Sequence, residues 1–314
     1  MSQKYFSNDN IPSRLLQINL QKRNQINTIF AIIGFLTITL AILILGALTI
    51  KMMIDGAPRI SSHFFFSFPS RKPEEAGIFS AWVGTFLVML VTALAAVPLG
   101  IASGIYLEEY ARKNWVADLI EINVTNLAGV PSIVYGLLAL GLFVYQFNLG
   151  QSILTAGLTL ALLILPVVIV TTREALRSIP ISLREAAYAL GASKWQMIWD
   201  HILPYSFGSI LTGVIIGLSR AIGETAPVIT IGALTFIAFL PESPLKNEFP
   251  FISFSWLQAP FTVMPIQIFN WVSRPEKEFE LNAAAAGTVL ILMTLAMNAL
   301  AIYLRYLFRK GIKW

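Results

Sequence analysis

The chain has 314 residues, of which 56% are hydrophobic and only 12% charged. Soluble domains sit near 45–50% and about 25%, so a soluble globular protein is excluded and a polytopic membrane protein is expected. Cysteine is absent and the two histidines, His63 and His201, lie far apart; disulfides, thiol catalysis and a Cys/His metal site are excluded with them. The net charge of +5 is read from its distribution, and no nucleic acid is expected as a partner.

Residues 1–27 form a polar segment with Lys4, Arg14, Lys22 and Arg23. The first apolar stretch, about 28–50, is too long for a signal-peptide core and lacks a small-residue cleavage site, so it is expected to be a retained span. A second span follows at about 78–107. Glu108, Glu109, Arg112 and Lys113 then read as a solvated cytoplasmic loop, or as residues flanking a partner protein on that side. A third span, about 122–147, opens with Asn123-Val-Thr-Asn-Leu-Ala-Gly-Val-Pro-Ser132, where Gly129 and Pro131 predict a kink within the helix, with a broken helix lining the pathway as the other reading. The fourth span is expected at about 152–172.

Between spans four and five lies REAAYALGASKWQMIWDHILP, Arg184 to Pro204. Glu185, Ala186 and Ala187 predict a short helix with small side chains. Gly191 permits a turn that a Cβ would hinder. Ser193 to Asp200 predicts an amphipathic helix whose Trp195 and Trp199, four apart, share a face suited to the headgroup region. Local physics allows an interfacial helix–turn–helix or a docking element for another protein.

The apolar run 202–240 would be nearly 60 Å long as one helix at about 1.5 Å per residue, twice the hydrocarbon thickness. A full span at about 203–222, a break near Gly223 and Pro227, and a shorter segment that does not cross is the expected course. Ser209, Gly213, Gly217 and Ala221 recur every four residues and suit close helix packing, either within the chain or at a subunit interface. Arg220 and Glu224 lie one helical turn apart. A charge at membrane depth costs at least ~2.5–3.5 kcal/mol and usually faces an interior or a water-filled path. A self-satisfying ion pair and an anion site are both open; in the second, the guanidinium fork of Arg220 binds a tetrahedral anion that displaces Glu224. Arg220, Glu224 and Thr225 are the candidate pathway residues.

The loop 241–282 is rich in proline and aromatics, and its part 258–271 is apolar enough to lie against the membrane or re-enter it. A sixth span at about 283–308 and a tail at 309–314 complete the chain. With both termini cytoplasmic, fourteen of the 22 Lys and Arg residues fall on the inner side and seven outside, with Arg220 inside a span; that bias supports the orientation. The fold class expected is all-α, with six transmembrane helices in a permease domain spanning 28–308.

Two sets of residues carry a family resemblance. Glu-Ala-Ala at 185–187, three residues, Gly191, nine residues, then x-x-Leu203-Pro204 resembles the EAA loop of ABC-importer permeases. His201 stands where an aliphatic residue is usual, with Ile202 expected to compensate. RAIGETAP (220–227), NLAGVPSIVYGL (126–137), MPIQIFNW (264–271) and MNALAIYLR (297–305) resemble the A-type permease subunits of phosphate ABC transporters, over most of residues 80–310. The resemblance implies a type I importer permease that transports inorganic phosphate across the plasma membrane. It implies a C-type permease partner, a dimer of ATPase subunits docked on Glu185, Ala186, Ala187 and Gly191, and a periplasmic phosphate-binding protein. No G-x-x-x-x-G-K-[ST] loop is present, so this chain is not expected to be an enzyme or to bind a cofactor; ATP and Mg would act through the partner. A permease for molybdate or sulfate, a stand-alone secondary transporter or channel, and a regulatory subunit are the other readings the residues allow.

Overall fold

The computed structural model describes residues 13–112, 114–243 and 253–310, with side chains described between residues 22 and 307. The expected N-terminal segment, the C-terminal tail and the middle of the 241–282 loop lie partly outside these residues. The chain divides into two compact units, residues 1–54 and 55–314. The first is one helix, α1 (Ser13–Gly56), which carries exposed apolar side chains on every face, such as Phe30, Phe35 and Leu45. That pattern fits a hydrocarbon environment, where an all-round apolar surface costs nothing.

All other regular structure among the described residues is also helical. A short helix α2 (Ser62–Phe66) is capped by Ser61, whose Oγ accepts from the Phe64 amide. Then come α3 (Phe79–Ile105), α4 (Trp115–Leu127), α5 (Ser132–Ala139) and α6 (Ile153–Arg177). Asn114 caps α4 and Ser152 caps α6, each accepting from the amide three residues on, as short polar side chains do. Next are α7 (Ile181–Ala189), α8 (Lys194–Gln196), α9 (Leu203–Ile222) and α10 (Ala226–Thr230). The last two are α11 (Met264–Val272) and α12 (Glu278–Lys310).

Among the described residues, five helices are long and apolar enough to cross a membrane, and α4 with α5 makes a sixth if the bent pair counts as one span. Of the two readings of the third span, the structure shows the broken helix and not the kink. The two halves meet at 104°, because Pro131 takes an extended ψ of 135° before Ser132 and cannot continue α4. The fifth span also begins earlier than expected. Helix runs without a break from Lys194 to Ile222, widening to π geometry over Met197–Ile202. The wide turn ends two residues before Pro204, whose ring would clash with the Asp200 carbonyl in a regular helix.

In the second unit, α6 is the central element. α3 crosses it where Gly100 faces Val168, Gly104 faces Thr172 and Gly157 faces Val91. At that crossing the Thr92 hydroxyl donates to the Gly157 carbonyl at 3.1 Å. α9 crosses the other side of α6 through Gly213, which faces Thr171, and Gly217, which faces Ile164 and Val168. α12 is tied to α9 by Ser219 Oγ donating to Asn298 Oδ1 at 2.5 Å. Much of the 258–271 segment packs inside the protein, although Phe269 is exposed. Phe261, Met264 and Trp271 are wholly or almost wholly buried, and the Met264 amide donates to Thr85 Oγ1 at 2.9 Å. With its amide turned accordingly, Gln267 donates to the Thr235 carbonyl and accepts from Trp271 Nε1. The segment's apolar content therefore reflects core packing on α3 and α12, which sequence hydropathy alone does not distinguish from membrane contact.

The tightest approach joins the two broken regions. A Cβ on Gly136 of α5 would collide with Thr230 Oγ1 and lie 2.7 Å from Pro227 Cα, both on α10. Gly136→Val should therefore cost about 1–3 kcal/mol through overpacking. Gly34→Ala in α1, where no atom lies within 4 Å, should leave stability unchanged. Denaturant titration of the two purified variants beside the parent chain checks the contrast.

Candidate functional site

Arg220 and Glu224 lie at the end of α9, where the helix stops. Gly223 closes the last turn, the Glu224 amide reaches back to the Ala221 carbonyl at 3.2 Å, and Thr225 starts α10, its carbonyl accepting from Val228 and Ile229. Arg220 Nε and Glu224 Oε1 are 3.4 Å apart, and the side chains are 41% and 19% exposed. That is one long contact, not a bidentate fork. Among the described residues the pair makes no other side-chain hydrogen bond or ion pair. The Nη groups of the guanidinium are thus available to another acceptor.

Glu224 faces inward. With Thr85, Val88, Met89, Leu160 and Val263 it lines a cavity of about 10 Å³, roughly the space of one water. Beside this point stands the bend between α4 and α5. Tyr135 lies within electrostatic reach of Arg220, and its hydroxyl spans the bend to the Leu127 carbonyl at 2.7 Å. The structure thus brings Arg220, Glu224 and Thr225 together with the Asn126–Pro131 bend. Of the small-residue row, Gly213, Gly217 and Ala221 are buried within the chain itself, while Ser209 is exposed.

The Arg184–Pro204 loop lies at the opposite end of α9. α7 carries Glu185, Ala186 and Ala187. Glu185 and Ala186 are exposed or half-exposed, and Ala187 is buried. Gly191 takes φ +84°, the left-handed region where a Cβ is strained. Ser193 and Gln196 form a reciprocal capping box that starts the next helix. Trp195 and Trp199 pack with ring centroids 5.3 Å apart and planes tilted by 53°, both exposed. Ile202 is fully buried with Leu176, Ala187, Met197 and Ile198, so the aliphatic position that His201 leaves open is filled one residue later.

The same end holds an ionic cluster that was not read from sequence. Glu108 and Glu109 are not a solvated loop; they lie in a π-helical extension of α3, Tyr106–Tyr110. Arg184 donates to Glu109 Oε1 at 2.9 Å and to the carbonyls of Leu176 and Ile179, closing the C-terminus of α6. Arg177 pairs with Glu108 at 3.2 Å. Arg173 pairs with Glu108 at 3.5 Å and with Glu121 of α4 at 2.9 Å. These groups line a cavity of about 620 Å³ between α4 and the ends of α3 and α6. The partners are 52 to 75 residues apart in sequence, so no local spacing announced them. The even mixture of Arg and Glu in three separate inner segments was the available signal.

The model of one family, the binding-protein-dependent transport system inner membrane component, matches residues 96–314. A phosphate transport system permease protein PstA from Yersinia pestis is 34% identical over 296 residues, covering 92% of this chain and 92% of that protein. A PstA from Mycobacterium leprae is 30% identical, covering 94% and 92%. A permease chain in the crystal structure of a bacterial alginate ABC transporter, in complex with an alginate pentasaccharide-bound periplasmic protein, superposes with a TM-score of 0.59. It is 15% identical and covers 93% of this chain and 96% of that one. At that identity the likeness concerns the fold alone.

The Arg184–Glu109 pair gives a sharp test of the cluster. The Glu109 side chain is only 7% exposed, so Arg184→Gln strands a buried carboxylate and should cost about 3–5 kcal/mol. The double substitution Arg184→Gln with Glu109→Gln removes that charge and should cost distinctly less than the single one. Denaturant titration of the single and double variants measures the difference.

Proposed function

This chain belongs to the family of binding-protein-dependent transport system inner membrane components, and from that premise we propose that it is the A-type permease subunit of an ATP-driven importer of inorganic phosphate. The two PstA relatives, each covering more than nine-tenths of the chain, support the substrate. The observation that carries the reading at residue level is the accessible guanidinium of Arg220 at the break after α9. It is a permanently charged donor fork beside a helix interruption and a carboxylate that holds it by one long contact. A tetrahedral anion can take up the free donors while Glu224 holds the guanidinium between passages.

In this reading the chain is a multi-pass membrane subunit with both termini in the cytoplasm, and the loop 184–204 faces a separate ATPase dimer. Glu185, the small Ala186 and the turn at Gly191 present a compact surface for that partner, so ATP and Mg act through the ATPase. A C-type permease subunit completes the pathway, and an extracytoplasmic phosphate-binding protein delivers the substrate at the far end. Arg220 attracts the anion, Glu224 competes for Arg220, and Thr225 and Gly223 supply backbone polar groups where regular helix ends.

Two substitutions separate the roles. Arg220→Gln should lower ATP-dependent phosphate uptake into proteoliposomes by at least about tenfold, the scale of one charged hydrogen bond, while the subunits still co-purify. Normal uptake in that variant contradicts the anion role. Gly191→Val should instead loosen the ATPase, seen as its loss during co-purification, while this chain still inserts in the membrane. Phosphate uptake by liposomes lacking any ATPase would rule out the ABC reading itself.

A further inference from the structure

We propose that Glu121 and Arg173 are positioning residues that couple the ATPase-facing loop to the broken span α4–α5, so that α4 moves with α7 during transport. This rests on the reading that the α7 loop docks an ATPase; the geometry of the link does not depend on which anion is carried.

The case begins with how little holds α4. None of its thirteen residues is buried, and Trp115 at its start is 75% exposed. It is a rod that starts at the Asn114 cap and ends at the 104° break. On its inner side Ala117, Glu121 and Val124 are half-buried, at the four- and three-residue spacing of one helix face. Asp118 and Glu121 both line the 620 Å³ cavity that separates α4 from α6. Across that cavity the only ion pairs α4 makes among the described residues are those of Glu121, at 2.9 Å from Arg173 and 3.7 Å from Arg177.

The far side of the link is fixed more firmly. Arg173 is 9% exposed, and its buried Nε finds no acceptor. Its charge therefore depends on the two carboxylates at its Nη2, Glu108 and Glu121. Glu108 also takes Arg177, and its neighbour Glu109 takes Arg184 of α7. Two sets of charge pairs, Arg184–Glu109 and Glu108–Arg173/Arg177–Glu121, are thus joined through the adjacent backbone of Glu108 and Glu109 in the π-helical end of α3, and lead from the docking loop to the middle of α4. Beyond its bend α4 becomes α5, which is pressed on α10 at Gly136, directly after the helix that carries Arg220. A shift of α7 moves Arg184 and Glu109, redistributes Arg173 and Arg177 between Glu108 and Glu121, and so pulls or releases α4. An arm with no buried side chain, held across a wide cavity by the ion pairs of Glu121 and at its end by the Tyr135–Leu127 bond, has room to take two positions.

The test uses the complete importer in liposomes, with phosphate uptake and ATP hydrolysis measured on the same preparation. In Glu121→Gln, uptake per ATP hydrolysed should fall at least about tenfold while hydrolysis stays within about twofold of the parent, a loss of coupling of the usual allosteric size. Glu121→Asp, which keeps the charge, should recover most of the ratio. Because the chain has no native cysteine, a spin label at Ile122→Cys reports α4 alone. Its ATP-dependent change in mobility should be present in the parent and absent with Glu121→Gln. The proposal is overturned if uptake per ATP is unchanged in Glu121→Gln, if uptake and hydrolysis fall in parallel, if Glu121→Asp is no better than Glu121→Gln, or if Glu121→Gln does not assemble, since the pair then only holds the fold. A parent complex that hydrolyses ATP and moves the label but carries a different oxyanion would refute the phosphate assignment and leave this link standing.

Discussion

A helix interrupted inside a bilayer frees amides and carbonyls that lipid cannot satisfy, and this chain interrupts two. The structure meets that constraint by pressing the interruptions together. At the first, Gly129 and Val130 amides return to Asn126 and Leu127, and the Tyr135 hydroxyl takes the Leu127 carbonyl. At the second, Glu224, Val228 and Ile229 amides find Ala221 and Thr225, and the Thr230 hydroxyl takes the Pro227 carbonyl. Only a glycine at 136 lets the two segments approach closely enough to shield each other. The rest of the second unit serves this contact. α6 holds α3 and α9 at glycine crossings, and the segment 259–263 ties in the loop beyond α10, the Leu234 amide donating to the Phe261 carbonyl.

Charge is distributed by the same logic. At one end of the second unit, three arginines from α6 and α7 meet Glu108, Glu109 and Glu121 and are largely consumed by them. At the other end, a single arginine meets a single glutamate at 3.4 Å and keeps donors to spare. The crowded cluster is suited to transmitting position, because each charge fixes its neighbours and a buried one is costly to strand. The sparse pair is suited to exchanging partners. In the proposed reading these are the two ends of one machine, joined by the continuous helix Lys194–Ile222 that carries the tryptophan pair of the docking loop near its start and Arg220 near its end.

How much of this was legible depended on whether the determining interaction is local. The turn at Gly191, the capped start at Ser193 and the tryptophan face are set by residues within a few positions, and the sequence shows them. The end of α9 followed from length alone, since no membrane accommodates a helix as long as the 202–240 run. Gly129 and Pro131 were visible, but a mild kink and a 104° break use the same residues, and the angle is decided by what α5 packs against. Apolar residues at 258–271 could not reveal whether lipid or protein surrounds them; the buried Gln267 and Trp271 belong to a core built from segments far apart in sequence. The Arg173–Glu121 and Arg184–Glu109 pairs were invisible for the same reason. Only the fold brings those residues to one cavity.

The central claim is that the break after α9 borders a water-filled path for an anion and is not sealed in lipid or protein. Gly223 tests it directly, because a Cβ there meets nothing closer than the Arg220 carbonyl at 4.0 Å and the chain has no cysteine to interfere. The rate at which Gly223→Cys in the assembled complex reacts with a charged, membrane-impermeant thiol reagent is the measurement. The account predicts rapid labelling that inorganic phosphate slows and that Arg220→Gln makes insensitive to phosphate. A cysteine that stays unreactive, or whose labelling phosphate does not affect, contradicts it.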